Sequence, residues 1–174
     1  MQECSYMAIV SRERANKNVG EIQVVEFMLG NDLFAVDLFD VKEVISWAAT
    51  TPLPNSPMYV IGIINLRGDV TTIIDLKQIL QISEGGACDE NTGFVVLDPA
   101  FTIRPIGIIV DEVLSVSTYY DSDVDHQAGG ADGDTDHIKG IIKKKTRVGD
   151  EKRTDLIIWL DIQALIRQMS LGVA

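Results

Sequence analysis

Ile61-Gly62-Ile63-Ile64-Asn65-Leu66, then Arg67-Gly68-Asp69, then Val70-Thr71-Thr72-Ile73-Ile74 is a pair of apolar runs joined through a tight polar turn. Runs of this length, rich in Ile and Val and broken by a Gly-containing turn, read as a β-hairpin. Asp75 follows at once, with Leu76, Ile79 and Leu80 at helical spacing, so the hairpin is expected to end in a short helix capped by Asp75.

The same order of signals precedes and follows this segment. Upstream, Gln23–Leu29 places Val25, Phe27 and Leu29 on one face, and after a turn at Gly30-Asn31-Asp32 the residues Phe34, Val36 and Leu38 do the same. Asp40 and Glu43 have capping-box spacing, and Val41, Val44 and Ile45 lie on one helical face, so a short helical turn is expected to open at Asp40. Leu53-Pro54-Asn55-Ser56-Pro57 forbids regular structure and reads as an ordered crossover.

Downstream the pattern repeats. Phe94–Leu97 corresponds to Val24–Phe27, and Gly107-Ile108-Ile109-Val110 with Val113 and Val116 corresponds to Ala35-Val36-Asp37-Leu38 with Val41 and Val44. Ile61-Gly62-Ile63-Ile64 and Ile73-Ile74-Asp75-Leu76 are echoed by Lys139-Gly140-Ile141-Ile142 and Trp159-Leu160-Asp161-Ile162, Asp161 opening a second helix. An internal duplication of about 70–85 residues follows. Each half supplies four or five short strands and one helix, which predicts an all-β protein with short helices, built as two small SH3-like β-barrels packed together. Residues 1–20 read as a flexible leader, 21–168 as the paired barrels with a break near 85–92 around Gly85-Gly86, and 169–174 as a tail.

With 174 residues, 46% of them apolar, the chain can bury a real core. Its formal net charge of −11 opposes binding to nucleic acid or anionic lipid and points to protein partners. Two distant cysteines, Cys4 and Cys88, make no disulfide framework or thiolate zinc site, and no stretch resembles a signal peptide or a membrane span, so a cytoplasmic protein without membrane insertion is expected.

Catalytic signals are weak. The two histidines, His126 and His137, bracket an Asp-Gly segment, and no phosphate cradle, nucleophile elbow or metal triad is present. No enzyme activity, cofactor or metal is expected. Asp121-Ser122-Asp123-Val124-Asp125 has the alternating carboxylates of a calcium loop, which gives the alternative of a calcium- or ligand-binding regulatory β-domain using residues 121–137. His126, however, stands where that loop needs glycine, and the preceding Ser115–Tyr120 reads as a strand, so a solvated loop is favoured. Lys139, Lys143, Lys144, Lys145, Arg147, Lys152 and Arg153 form a basic patch, read as an exposed hairpin rather than a binding face. Trp159 reads as core, and Trp47 as a large aromatic that could reach the surface. Arg67 is expected either to pair internally with Asp69 or Asp75 or to point into a groove.

Leu53-Pro54 with Pro57, Gly62-Ile63-Ile64-Asn65-Leu66-Arg67-Gly68, Ile74-Asp75-Leu76 and Gly107-Ile108-Ile109-Val110-Asp111-Glu112-Val113 resemble, in order and spacing, the CheW family of bacterial chemotaxis coupling proteins. The resemblance covers roughly residues 21–168 and implies two five-stranded barrels with a groove between them and a scaffold role without catalysis. It implies partners too: the regulatory domain of the CheA histidine kinase and the cytoplasmic hairpin tip of a chemoreceptor, at membrane-associated receptor arrays. Carried over by position, the receptor-facing residues would be Val41, Glu43, Gly62, Asn65, Arg67, Gly107 and Val113, and the kinase-facing ones Leu33, Trp47 and Leu53. Thr72 stands where the family often has proline, and Asp121–His137 occupies a region the family uses for a second contact in ring assemblies. A form without a receiver domain after Ala174 is expected.

Overall fold

Gly30 and Gly68 hold positive φ angles of 62° and 93°, and each sits in a two-residue turn that reverses a strand. Glycine is used there because only a residue without a Cβ adopts this conformation at no steric cost. β1 (Glu21–Leu29) and β2 (Asp32–Asp37) form the first hairpin, and β4 (Val60–Leu66) and β5 (Asp69–Asp75) the second. Between them lies β3 (Val41–Ser46); β6 (Gly93–Leu97), β7 (Ile106–Val110), β8 (Glu112–Tyr120), β9 (Val124–Asp125), β10 (Ile138–Val148) and β11 (Glu151–Leu160) follow. The computed structural model describes residues 20–83, 88–102, 104–129 and 137–171. The leader up to residue 19, Gly85-Gly86, residues 130–136 and the last three residues lie outside these.

The strands form two sheets, one in the order β8-β1-β2-β11-β10-β9 and one in the order β3-β6-β7-β5-β4. If β1 is matched with β6, β2 with β7, β3 with β8, β4 with β10 and β5 with β11, the first five strands of one sheet reproduce the other. The registers agree as well. Val25 faces Val36 as Val95 faces Ile108, and in the parallel pairings Trp159 faces Ala35 as Ile73 faces Gly107. Even the bulges repeat, at Val60/Gly62 and at Ile138/Gly140. The duplication read from sequence is thus structural, and each sheet takes a hairpin from one repeat and the remaining strands from the other.

One face of each sheet contributes to a shared core that includes Phe27, Leu29, Val36, Leu76, Leu97 and Leu165. The other face closes on a smaller cluster of its own: Val24, Ala35, Tyr119, Ile142, Ile157 and Trp159 in the six-stranded sheet, and Ile64, Ile73, Phe94 and Ile109 in the five-stranded one. Trp159 is core, as its apolar strand suggested. A flat sheet could not bury both faces this way. Each is rolled, and among the described residues strand pairing does not run from edge to edge, so the two small barrels are rolled sheets whose seams are spanned by side chains.

Both expected caps are present. The Asp75 carboxylate accepts from Lys77 N at 2.9 Å at the start of the helix Leu76–Ile79, and the Asp161 carboxylate accepts from Ala164 N at 2.9 Å at the start of the helix Ile162–Leu171. The expected helical turn at Asp40 is misplaced. A 3-10 turn spans Leu38–Asp40 and ends there; Val41–Ser46 is a strand paired with β6. Its β-branched residues fit that pairing, and a bulge between Val41 and Glu43 lets Val41, Glu43 and Val44 all be buried, which mimics helical spacing in the sequence.

The Asp-rich segment also has more structure than a solvated loop. Asp121–Asp123 forms a 3-10 turn, Val124–Asp125 pairs with Ile141-Ile142, and His126–Gly129 forms another turn.

Candidate functional site

The turn that closes the β4–β5 hairpin has Arg67 at φ 52° and Gly68 at φ 93°. Positive φ at both central residues matches the twist of the flanking strands, but for arginine it costs about 1 kcal/mol. Asn65 holds the turn from within, its Oδ1 accepting from Gly68 N at 2.8 Å.

Arg67 pairs with neither Asp69 nor Asp75. Its guanidinium lies against Glu43 on β3, Nη1 donating to Oε1 at 3.5 Å and Nη2 standing 3.0 Å from Oε2. The second contact is an ion pair by distance and not an aligned hydrogen bond, since Oε2 is buried and accepts none. Asp69 sits directly across the turn and Asp75 at the far end of β5, whereas rolling of the sheet brings β3 to the arginine. The Glu43 side chain is 6% exposed and that of Arg67 is 59% exposed, so the arginine neutralises a buried carboxylate while keeping a broad outer face.

The other residues carried over by resemblance take different places. Val41 is fully buried in the shared core, paired with Leu97. Gly62 and Gly107 are packing positions: a Cβ on Gly62 would stand 2.5 Å from the Thr51 carbonyl oxygen, and one on Gly107 would stand 2.8 Å from Cδ1 of Ile73. Val113 is half-buried on β8, in the other sheet, against the shared core. Exposed together on the β4–β5 hairpin are Asn65, Arg67 and Val70, with Asn65 and Val70 directly opposite each other. Val70 was missed by sequence reading because it belongs to an apolar run; it is 61% exposed.

Of the kinase-facing set, Leu33 is half-buried on β2 at the small core of the six-stranded sheet. Trp47 and Leu53 are exposed, and with Met58 they make the connection between β3 and β4 an apolar surface segment. Thr72 uses its amide, donating to Pro105 O at 2.9 Å, a bond that proline could not make.

A polar cluster in the six-stranded sheet has no counterpart among the sequence expectations. Glu26 is fully buried on β1, accepting from Tyr119 Oη at 2.5 Å and from Lys144 Nζ at 2.7 Å. Burial pushes the Glu26 carboxyl up, but hydrogen bonds from Lys144 and Tyr119 outweigh it and hold the group below its ordinary value. Burial and the adjoining carboxylate push the Tyr119 phenol far above its own.

The acidic segment spends its carboxylates locally. Asp121 Oδ1 stands 2.9 Å from His126 Nε2, Asp123 Oδ2 accepts from Tyr120 N, and Asp125 Oδ1 accepts from Gln127 N. Hydrogen bonds to Asp121 and to the Lys139 carbonyl raise the His126 pKa. No three His, Cys, Asp or Glu side chains converge as a metal site among the described residues, and no helix there is long and apolar enough to cross a membrane.

The chain is similar to known proteins in sequence and in fold. The family model of the CheW-like domain covers residues 23–170. The chemotaxis protein CheW of Bacillus subtilis is 33% identical over 135 residues, 77% of this chain and 84% of that protein. That of Treponema pallidum is 30% identical over 158 residues, 88% of this chain and 87% of that one. The crystal structure of the scaffolding protein TtCheW from Thermoanaerobacter tengcongensis superposes with a TM-score of 0.66 at 27% identity, covering 85% of this chain and 88% of its own. The chain belongs to the CheW family, whose CheW-like domain makes up most of its length.

Proposed function

We propose that this protein is a non-catalytic chemotaxis adaptor that couples chemoreceptors to the CheA histidine kinase at the cytoplasmic side of receptor arrays. Membership of the family and the likeness to proteins named for chemotaxis and scaffolding support the general role. The observation that carries the finer reading is the β4–β5 turn, where Arg67, Asn65 and Val70 present a charged group, an amide and an apolar side chain on a rigid hairpin. That face suits the side of a receptor helical hairpin. Trp47, Leu53 and Met58, an exposed apolar segment elsewhere, suit the kinase regulatory domain. Leu33, half-buried on β2, is retained at the edge of that second surface, and buried Val41, Gly62 and Gly107 serve as supports of the first.

Pull-downs with a receptor cytoplasmic fragment and, separately, with the kinase regulatory domain test this. Arg67→Glu and Val70→Glu should each abolish most receptor capture and spare the kinase; Trp47→Glu should do the reverse. Val70 is exposed and is not a member of the Glu43–Arg67 pair, so it reports on the surface even where Arg67→Glu disturbs folding. Capture of neither partner by the unaltered chain sinks the adaptor reading.

A further inference from the structure

Each rolled sheet has a seam, and the two seams differ in charge. In the five-stranded sheet Lys42, Leu66, Asp69, Thr71, Val96 and Leu97 line a small cavity of about 90 Å³, and the Glu43–Arg67 pair spans the edges. Register matches Glu43 with Ser115, because Val41 and Val113 are equivalent, and counting on from the equivalent pairs Gly62 and Gly140, and Ile64 and Ile142, sets Lys145 of the longer strand β10 at the position that Arg67 has in the β4–β5 turn. The cation is thus kept in the six-stranded sheet and its carboxylate is not. Ser115 hydrogen-bonds to Ser117 instead, and Lys145 is exposed and has no ion pair among the described residues.

Around Lys145 the seam opens into a groove of about 440 Å³, with Ser117, Thr118 and Tyr119 of β8 on one wall and Lys143, Lys144 and Lys145 of β10 on the other. β8 is the edge strand of its sheet, and β9 pairs with β10 only at Ile141 and Ile142, so both walls carry backbone groups without a neighbouring strand. Lys144 is turned inward to Glu26, Lys143 lies 3.4 Å from Asp125, and Asp123 closes one end with its carboxylate on Tyr120 N. Lys143 and Lys145 alternate along one strand, about 7 Å apart at the backbone, which is the spacing of alternate side chains in an extended peptide.

We propose that this seam docks an acidic, extended segment of a partner protein, one of whose carboxylates occupies before Lys145 the place that Glu43 holds before Arg67. Backbone groups of the two edges would pair with the segment, and Lys143 and Lys145 would select its charge.

The test uses the full chain, isotope-labelled, and a fluorescent octapeptide of alternating Glu and Ser, with the Lys-Ser octapeptide as control. Saturable binding that weakens with salt, with shifts centred on Ser117–Tyr119 and Lys143–Lys145, is expected for the acidic peptide alone. Lys145→Glu should weaken it about tenfold, and Ser117→Glu by a similar factor, since it puts a carboxylate on the groove wall facing the lysines. Thermal melts check that both variants fold; Lys145→Gln replaces Lys145→Glu where they do not. Absence of binding, equal binding by the variants, shifts elsewhere, or displacement by inorganic phosphate with the same shifts each overturns the proposal, the last by showing a small-anion site.

Discussion

The Glu43 carboxylate and the Arg67 guanidinium join opposite edges of one sheet: Oε2 and Nη2 are 3.0 Å apart, although β6, β7 and β5 lie between β3 and the β4–β5 turn in pairing order. The contact exists only because the sheet is rolled, and it ties the exposed face of the turn to the interior. Arg67→Met leaves a buried carboxylate without its cation and should cost about 1–3 kcal/mol. Because the arginine is largely solvated, a double-mutant cycle with Glu43→Gln should return a coupling of only about 1 kcal/mol in urea melts. A coupling near zero would mean that the pair orders nothing.

Glu26 and Lys144 sit where the other sheet has Val96 and Leu66. Lys144→Met alone strands a fully buried carboxylate and should destabilise by about 3 kcal/mol. The double variant Glu26→Val with Lys144→Leu copies the apolar pair but leaves the buried Tyr119 hydroxyl without its acceptor, so it should recover much of that loss and not all of it. Equilibrium unfolding of the three proteins decides it, and a double variant less stable than the single one would refute the equivalence of the two seams.

Acid should act through the same group. The Glu26 carboxyl is held below its ordinary value of 4.5 in the folded protein, so the unfolded chain binds the proton first. Its contribution is fully present above that value and is lost as the pH falls through the lower, folded value. The unaltered chain should lose stability on acidification below about pH 5 more steeply than the Val-Leu double variant. Parallel acid limbs would show that other carboxylates dominate.

Two glycines of the candidate site should differ in tolerance. Gly62→Ala drives a Cβ to 2.5 Å from the Thr51 carbonyl oxygen, which is backbone held by paired hydrogen bonds between Thr51 and Ile63. Gly107→Ala meets the flexible end of Ile73 at 2.8 Å. Gly62→Ala should lower the melting temperature by at least about 10 °C and Gly107→Ala by less than half of that. Equal losses would mean that the Thr51 bridge yields as easily as a side chain does.

Much of this was readable in the residues. Hairpins announce themselves at Gly30-Asn31 and Arg67-Gly68 because the turns need positive φ, and Asp75 and Asp161 announce helices because a carboxylate satisfies the first free amides. Glu26 was not readable. Alternating with Val25 and Phe27, it looks like a solvent position, but in a rolled sheet the second face is also interior. The strand at Val41–Ser46 was hidden for a related reason, since a bulge shifts the alternation and imitates a helix.

By itself the sequence determined the local elements and their duplication, because turns, caps and apolar alternation are set by residues a few positions apart. Only the tertiary structure decided that the β1–β2 hairpin joins β11 while β7 joins β5. The repeats carry equivalent strand edges in equivalent registers, so local pattern fits either pairing. The choice rests on burying one shared core between the sheets, and with it comes the meeting of Glu43 with Arg67 and of Glu26 with Lys144.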